Sequence, residues 1–297
     1  MRSSRNQVMA RRIRSRKSAR WRIGVLTGVA AVVFGAAWTV FGAPLAHSTV
    51  PSVVKTKQPK LISKKTKPRL PTMSEALQKL YAEPLPASAL LNVPAISQLP
   101  QLPDGCEMTS LSMLLSAAGH PTSKMWLAAH MPVDPTPLRT NAEGQPVYWG
   151  NPNVGFVGDV YTDTDGYGIY NGPVTKFLNQ ILPGRALNLT GKPFRDDLAT
   201  VASGRPVVLW TTATFQPTDD WVTWQSPEGP VHATFEEHAV LLVGYKGDTL
   251  YINNPLNGEK DQAVNKEAFL EAWDQLGHQA VTYTPQSVKS LLSRDGV

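Results

Sequence analysis

Residues 237–254, EHAVLLVGYKGDTLYINN, decide the fold. An apolar, β-rich run ends at Tyr245, Lys-Gly-Asp follows, and a second short run ends at Asn254. Two such runs around a glycine-containing turn read as an antiparallel hairpin. With Lys246, Gly247 and Asp248 as the loop, Leu242 faces Ile252 and Val240 faces Asn254. His238 then shares that face and lies diagonal to Asn254, within reach of a side-chain hydrogen bond. A two- or four-residue loop would change the parity and bring Asn253 round instead. The Asn254-Pro255 step favours extended backbone at the asparagine. An asparagine oxygen can accept an imidazole N–H and so fix the ring's tautomer.

The rest of the body follows from the same kind of pattern. RPVVLWTTATF (205–215) is a strongly β-branched strand. NGPVTKFLNQIL (171–182), FRDDLATVASG (194–204) and NKEAFLEAWDQLG (265–277) read as helices. GCEMTSLSMLLSAAG (105–119) is the clearest helix, with Leu111, Leu114, Leu115 and Ala118 at helical spacing and Gly119 and Pro121 to stop it. Asp104 is the expected N-cap, with Glu107 three residues later in the capping-box position. Residues 132–173, rich in Gly, Pro, Asn, Asp and Tyr, read as long loops. MSEALQKLYAE (73–83) is a short amphipathic helix ended by Pro84 and Pro86. A helix followed by a sheet with interposed helices is an α+β class.

Cys106 is the only cysteine in 297 residues, so it has no internal disulfide partner. It sits in the first turn of its helix, where unpaired N–H groups and the helix dipole favour an anion and lower a thiol's pKa. The competing reading is a small buried hydrophobe. A nucleophilic cysteine needs a base. Among six histidines, His47 borders the apolar N-terminal run, His120 and His130 sit in turns, and His278 follows a helix. His232 lies in a loop-like stretch, and His238 opens the best strand, where a base is held rigidly. Gln98 and Gln101, eight and five residues before Cys106, are candidate amide donors to an oxyanion beside the Cys106 N–H.

Charge separates the ends of the chain. Residues 1–70 carry sixteen Lys and Arg and no acidic residue, and residues 71–297 carry a net −10. An acidic body repels phosphates, so a nucleic-acid partner is not expected. Residues 1–22 are basic, and residues 23–46 run for 24 residues without a charge, enough to cross a bilayer. The basic flank stays cytoplasmic in that reading and places the C-terminal body outside. A cleaved signal peptide is the alternative, with the protein then secreted. Residues 47–90 form a basic Pro/Lys-rich linker with the short helix at its end, able to contact anionic cell-wall polymers. The folded domain is expected over 91–285, with a tail at 286–297.

The blocks VPAISQLPQLPDGCEMTSLSMLL, GFVGDVYT, GRPVVLW and EEHAVLLVGYKGDTLYINNPLNG resemble the bacterial papain-like cysteine peptidases related to the double-glycine, bacteriocin-processing peptidases. They are most similar to the stand-alone exported branch of that family, over about residues 91–280. The resemblance implies a papain-like fold with Cys106 as nucleophile, His238 as base and Gln98 as oxyanion donor. The family usually has Asp before the proline, where this chain has Asn254, the papain-type choice. No cofactor is implied. DTDG (163–166) lacks the later Glu of a calcium loop, His232 and His238 lack zinc spacing, and no phosphate loop is present.

Three functions fit. One is an extracytoplasmic cysteine peptidase acting on peptide or isopeptide bonds of a peptide or protein substrate. Another is a hydrolase of peptidoglycan stem peptides. The third is a non-catalytic surface domain that binds peptide or glycan. Tyr148, Trp149, Phe156, Tyr161, Tyr167 and Tyr170 offer aromatic faces that either line a cleft or cap a core.

Overall fold

A computed structural model describes residues 69–292. The chain divides into two units, Met1–Lys64 and Lys65–Val297, and all described residues belong to the second. The expected basic segment 1–22, the apolar span 23–46, the linker as far as residue 68 and the last five residues lie outside them. Among the described residues, no helix is long and apolar enough to cross a membrane.

In chain order, α1 (Met73–Ala82) and β1 (Ser88–Leu90) lead to α2 (Cys106–Ala117) and α3 (Lys124–His130). Five short strands follow: β2 (Val133–Asp134), β3 (Arg139–Thr140), β4 (Pro146–Tyr148), β5 (Phe156–Gly158) and β6 (Gly166–Gly168). Then come α4 (Asn171–Ile181), β7 (Ala186–Asn188), α5 (Phe194–Ala202) and β8 (Val207–Thr212). The last part holds β9 (Val222–Ser226), β10 (Gly229–Ala233), β11 (Glu237–Lys246), β12 (Thr249–Asn254), β13 (Glu259–Asn265), α6 (Lys266–Gln275), β14 (Ala280–Tyr283) and α7 (Val288–Leu292). The main sheet has the order β13-β12-β11-β8-β14-β7, with β1 added to β11. Its pairings are antiparallel throughout.

The central strands β8 and β11 are apolar on both faces because both faces are covered. Val208, Trp210, Ala239, Leu241 and Val243 pack with Met108, Leu111 and Leu115 of α2. Val207, Leu209, Val240 and Leu242 pack with Leu198 and Val201 of α5 and with Phe269 and Trp273 of α6. The result is a sheet between two helical layers. A small cluster of Ala76, Leu77 and Leu291 joins α1 to α7.

Helix α2 is buried on every side from Cys106 to Leu115, not only along the stripe its leucines mark. Its N-cap is Gly105, with no side-chain cap, so Asp104 does not serve as expected. The Asp104 side chain lies against Gly166. Glycine is required at 105 by packing, since a Cβ there would stand 2.6 Å from Leu102 Cβ.

The hairpin reaches the expected facing by another route. Lys246 pairs with Thr249, so the loop is the two residues Gly247 and Asp248, with Gly247 at φ +55°. A bulge between Leu242 and Gly244 inserts one extra residue and restores Leu242 opposite Ile252. The parity change of the shorter loop is thereby offset before the strand reaches His238.

Residues 132–173 are not simply loops. They contribute β2, β5 and β6 to a three-stranded sheet and β3 and β4 to a four-stranded one. Gly, Pro and Asn interrupt pairing after two or three residues, which hides these strands from pattern reading. Trp149 and Tyr167 are buried with Trp224 in a cluster of tilted and edge-on rings, and Phe156 is buried in the main core. Tyr170 is half-buried and bonds the Tyr167 hydroxyl at 2.6 Å. These four rings close a core, whereas Tyr148 is half-buried and Tyr161 is exposed.

Asp197, in the first turn of α5, is fully buried, and neither carboxylate oxygen has a hydrogen-bond partner. Burial, and secondarily the Asp196 charge, hold its pKa well above the usual carboxylate range. The folded state therefore binds this proton more tightly than the unfolded chain, whose carboxyl titrates near about 4. Stability from this group is complete below that pH and is lost as pH rises toward the folded-state value. Asp197→Asn should raise the melting temperature more at pH 8 than at pH 5, by circular dichroism. A gain that does not change with pH would mean Asp197 is ionised and satisfied.

Candidate active site

The site forms where α2 crosses β11. Ala239 fixes the crossing: its carbonyl accepts from Ser110 Oγ at 3.1 Å, and its N–H donates to Cys106 Sγ at 3.4 Å. The thiol is thus held beside the backbone of the residue next to His238. Cys106 and His238 are 6% and 3% exposed, so both work in a desolvated setting.

His238 Nε2 lies 3.0 Å from Asn254 Oδ1. The orientation of that amide is set by two further bonds. Leu256 N–H donates to the same Oδ1 at 3.0 Å, and Asn254 Nδ2 donates to Gln262 Oε1 at 2.8 Å. An oxygen facing Nε2 can only accept, so Nε2 carries the ring proton and Nδ1 is left as the basic nitrogen. Burial pulls the His238 pKa down to about 4, partly offset by the bond to Asn254, and the ring is neutral at pH 7.

Cys106 corrects the expectation of a lowered pKa. Its thiol donates to Glu107 Oε2 at 3.4 Å. Burial pushes the thiol well above its ordinary value, and the charges of Glu107 and Glu237 add to this. A helix N-terminus contributes about 0.3–1 kcal/mol to an anion, whereas full burial of an ionisable group can move its pKa by about 3–5 units. Desolvation wins, and the resting pair is thiol and neutral imidazole.

Gln98 is buried and joins two parts of the site. Its N–H donates to Pro255 O at 2.7 Å and its Nε2 to Pro103 O at 2.6 Å. Gln101 is exposed, and its Oε1 accepts from Lys124 Nζ at 2.9 Å. The structure separates the two glutamines and brings only Gln98 between the Asn254 and Cys106 segments. Among the described residues, the other histidines lie elsewhere. His232 stacks on Trp221 with ring centres 4.8 Å apart, His130 stacks on Trp126 at 4.1 Å, and His278 stacks on Trp273 at 4.3 Å.

Three residues of the site were not among the candidate site residues that the sequence offered. Gln262 orients Asn254 from β13. Glu107, fully buried, accepts the Ile169 N–H at 2.8 Å as well as the thiol. Glu237 approaches from the start of β11, and one ligand atom each of Cys106, Glu107 and Glu237 lies within 4.8 Å of the others. Glu107 stands directly after the cysteine in the Gly-Cys-Glu block, and the capping-box pattern drew attention from that position. The Gln262 role carried no sequence signal, because it arises from cross-strand pairing.

The sheet, the helix bearing the cysteine and the strand bearing the histidine define a papain-like fold. Residues 90–281 match the Peptidase_C39 like family. The chain is 35% identical over 182 residues to the uncharacterised protein YvpB of Bacillus subtilis (strain 168), across 61% of this chain and 70% of YvpB. A crystal structure from Bacillus anthracis, described as a C39-like peptidase, is 42% identical with a TM-score of 0.62 and covers 67% of this chain and 98% of its own. The chain belongs to the Peptidase_C39 like family.

The neutral imidazole gives a direct check. His238 ring resonances should show no titration between roughly pH 5 and 8 in a histidine NMR experiment. An inflection near 6.5 would mean that solvent reaches the ring.

Proposed function

We propose that the protein is a thiol hydrolase that cleaves peptide or isopeptide bonds outside the membrane. The observation that carries this reading is the 3.0 Å bond from His238 Nε2 to Asn254 Oδ1 on the strand that also holds Cys106 Sγ. In the reaction, the substrate carbonyl sits against Cys106 Sγ. The thiol proton moves to His238 Nδ1 as sulfur attacks the carbonyl carbon. Asn254 keeps the ring oriented by accepting the Nε2–H. The oxyanion takes the Cys106 N–H, which has no helical carbonyl to serve, and the second N–H of the Gln98 amide. His238 then returns the proton to the leaving amine, and water hydrolyses the thioester with His238 again as base.

Residues 23–46 hold the domain at the outer membrane face in this reading, or are removed to release it. Two substrate classes remain in view. The seven Lys and Arg of residues 47–72 suit contact with anionic wall polymers, which favours peptidoglycan stem peptides over soluble proteins. The reading as a non-catalytic binding domain has its own support: a buried thiol bonded to a carboxylate and an imidazole whose basicity burial lowers.

The full-length chain, incubated with a peptide library and separately with isolated muropeptides, distinguishes these. Cys106→Ser and His238→Ala should each lower turnover by about 10²–10⁴-fold. Gln98→Ala should lower it by about 10²–10³-fold, and Asn254→Asp should retain activity. Peptides or muropeptides that bind equally to wild type and Cys106→Ser, with no cleavage by either, would establish the binding domain.

A further inference from the structure

The Cys106 proton has two possible destinations. Mechanism requires His238, yet the resting S–H is directed at Glu107 Oε2, 3.4 Å away. Glu107 is built into that position. Its other oxygen accepts the Ile169 N–H at 2.8 Å, and it is fully buried one residue after the nucleophile. The backbone opposite is Gly168, where a Cβ would lie 2.5 Å from Glu107 Oε1 and 3.0 Å from Glu237 Oε2. Only a residue without a side chain leaves room for both carboxylates beside the thiol.

We propose, on the footing of the thiol-hydrolase reading above, that Glu107 is a positioning residue that gates the nucleophile. As a carboxylate it holds the Cys106 S–H and opposes the thiolate. As a neutral carboxyl it donates to the sulfur, and the S–H proton passes to His238 Nδ1 while the bonding pair stays on sulfur.

The surroundings put this switch in an accessible range. Burial raises the Glu107 pKa to about 7, opposed by the bonds from Ile169 N–H and from the thiol. Asp104, from the turn before α2, raises it further. Glu237 faces the thiol from β11 and, with Glu107, pushes the Cys106 pKa up. Tyr167 and Tyr170 face both carboxylates, and burial keeps their hydroxyls protonated. His238 is neutral and adds no charge. Raising pH through about 7 ionises Glu107 and closes the gate. Hydrolysis should therefore fall across that range.

The test uses the full-length chain and its single cysteine, so alkylation by iodoacetamide reports Cys106 alone. Rates are measured against pH for wild type, Glu107→Gln and Glu107→Asp. Glu107→Gln keeps an acceptor for Ile169 N–H and removes the charge. Its thiolate midpoint should move down, each unit giving about tenfold faster alkylation below the midpoint. Its hydrolysis should lose the decline around neutral pH, and Glu107→Asp should keep the decline. A purely structural role would lower rates at every pH and leave the midpoint in place, which would overturn the proposal. Should Glu107→Gln not fold, Cys106→Ala reads the same contact from the other side. Loss of the S–H donor should raise the Glu107 titration in carboxyl infrared spectra, and an unmoved titration would overturn the gate. Alkylation needs no substrate. A shifted midpoint without cleavage of any peptide would leave the gate standing and sink the hydrolase reading, and the reverse result would do the opposite.

Discussion

The contact of α2 with the backbone N–H and C=O of Ala239 is the constraint on which the site depends. One backbone unit accepts from Ser110 and donates to Cys106 Sγ, so the helix is tied to β11 at its carbonyl and its amide together. Everything on either side serves that crossing. Leucines 111 and 115 and Met108 bury the helix against Trp210 and Leu241, and Gly105 lets Leu102 close over the first turn. A helix buried on all sides has little freedom to rotate or slide, because a close-packed interior resists small displacements. The sulfur is therefore placed by the core, and α2, β11 and β12 supply Glu107, His238 and Asn254 around it.

Burial also sets the chemistry. A thiol at a helix N-terminus would be acidic in water-exposed surroundings, but here the local dipole is a small effect beside desolvation and two nearby carboxylates. The same desolvation keeps His238 neutral. In the proposed reaction, protons are redistributed among Cys106, Glu107 and His238 within the closed site, since none of the three is poised by solvent. This links the fold to function directly: the packing that fixes the geometry is what removes the easy route to a thiolate.

The long, strongly patterned elements were legible in the sequence. The helices at 106–117, 171–181 and 266–275 and the strands at 207–212 and 237–254 carry spacing that only one secondary structure satisfies. The meeting of His238 and Asn254 was also legible, although the reason given was incomplete. A two-residue turn alone would have rotated Asn254 away, and the bulge at Val243 turned it back. A bulge leaves little trace in hydrophobic alternation when both strand faces are buried. The strands between 133 and 168 were hidden for a different reason: two- and three-residue pairings show no period. Glu107 was misread because a glutamate three residues after an aspartate, at a helix start, fits a capping box, and only the tertiary structure shows Asp104 turned toward Gly166.

Asn254 stands where the resemblance implies an aspartate, and its surroundings give the amide a physical rationale. The site already holds Glu107 and Glu237 beside the thiol, with Asp104 acting on Glu107. A fourth carboxylate at 254 would add negative charge to a region where burial already penalises it. Gln262 presents its Oε1 to position 254 and accepts from the Asn254 Nδ2, whereas an aspartate there would need the Gln262 amide turned to present its Nε2. The amide satisfies Gln262 on one side, and on the other it accepts from both His238 and Leu256. Its oxygen still fixes the imidazole tautomer, so orientation of the base is kept without ionic stabilisation of the imidazolium. Such a site loses part of the attraction that an aspartate gives a protonated histidine, and it depends correspondingly more on the charge state of the groups around the sulfur.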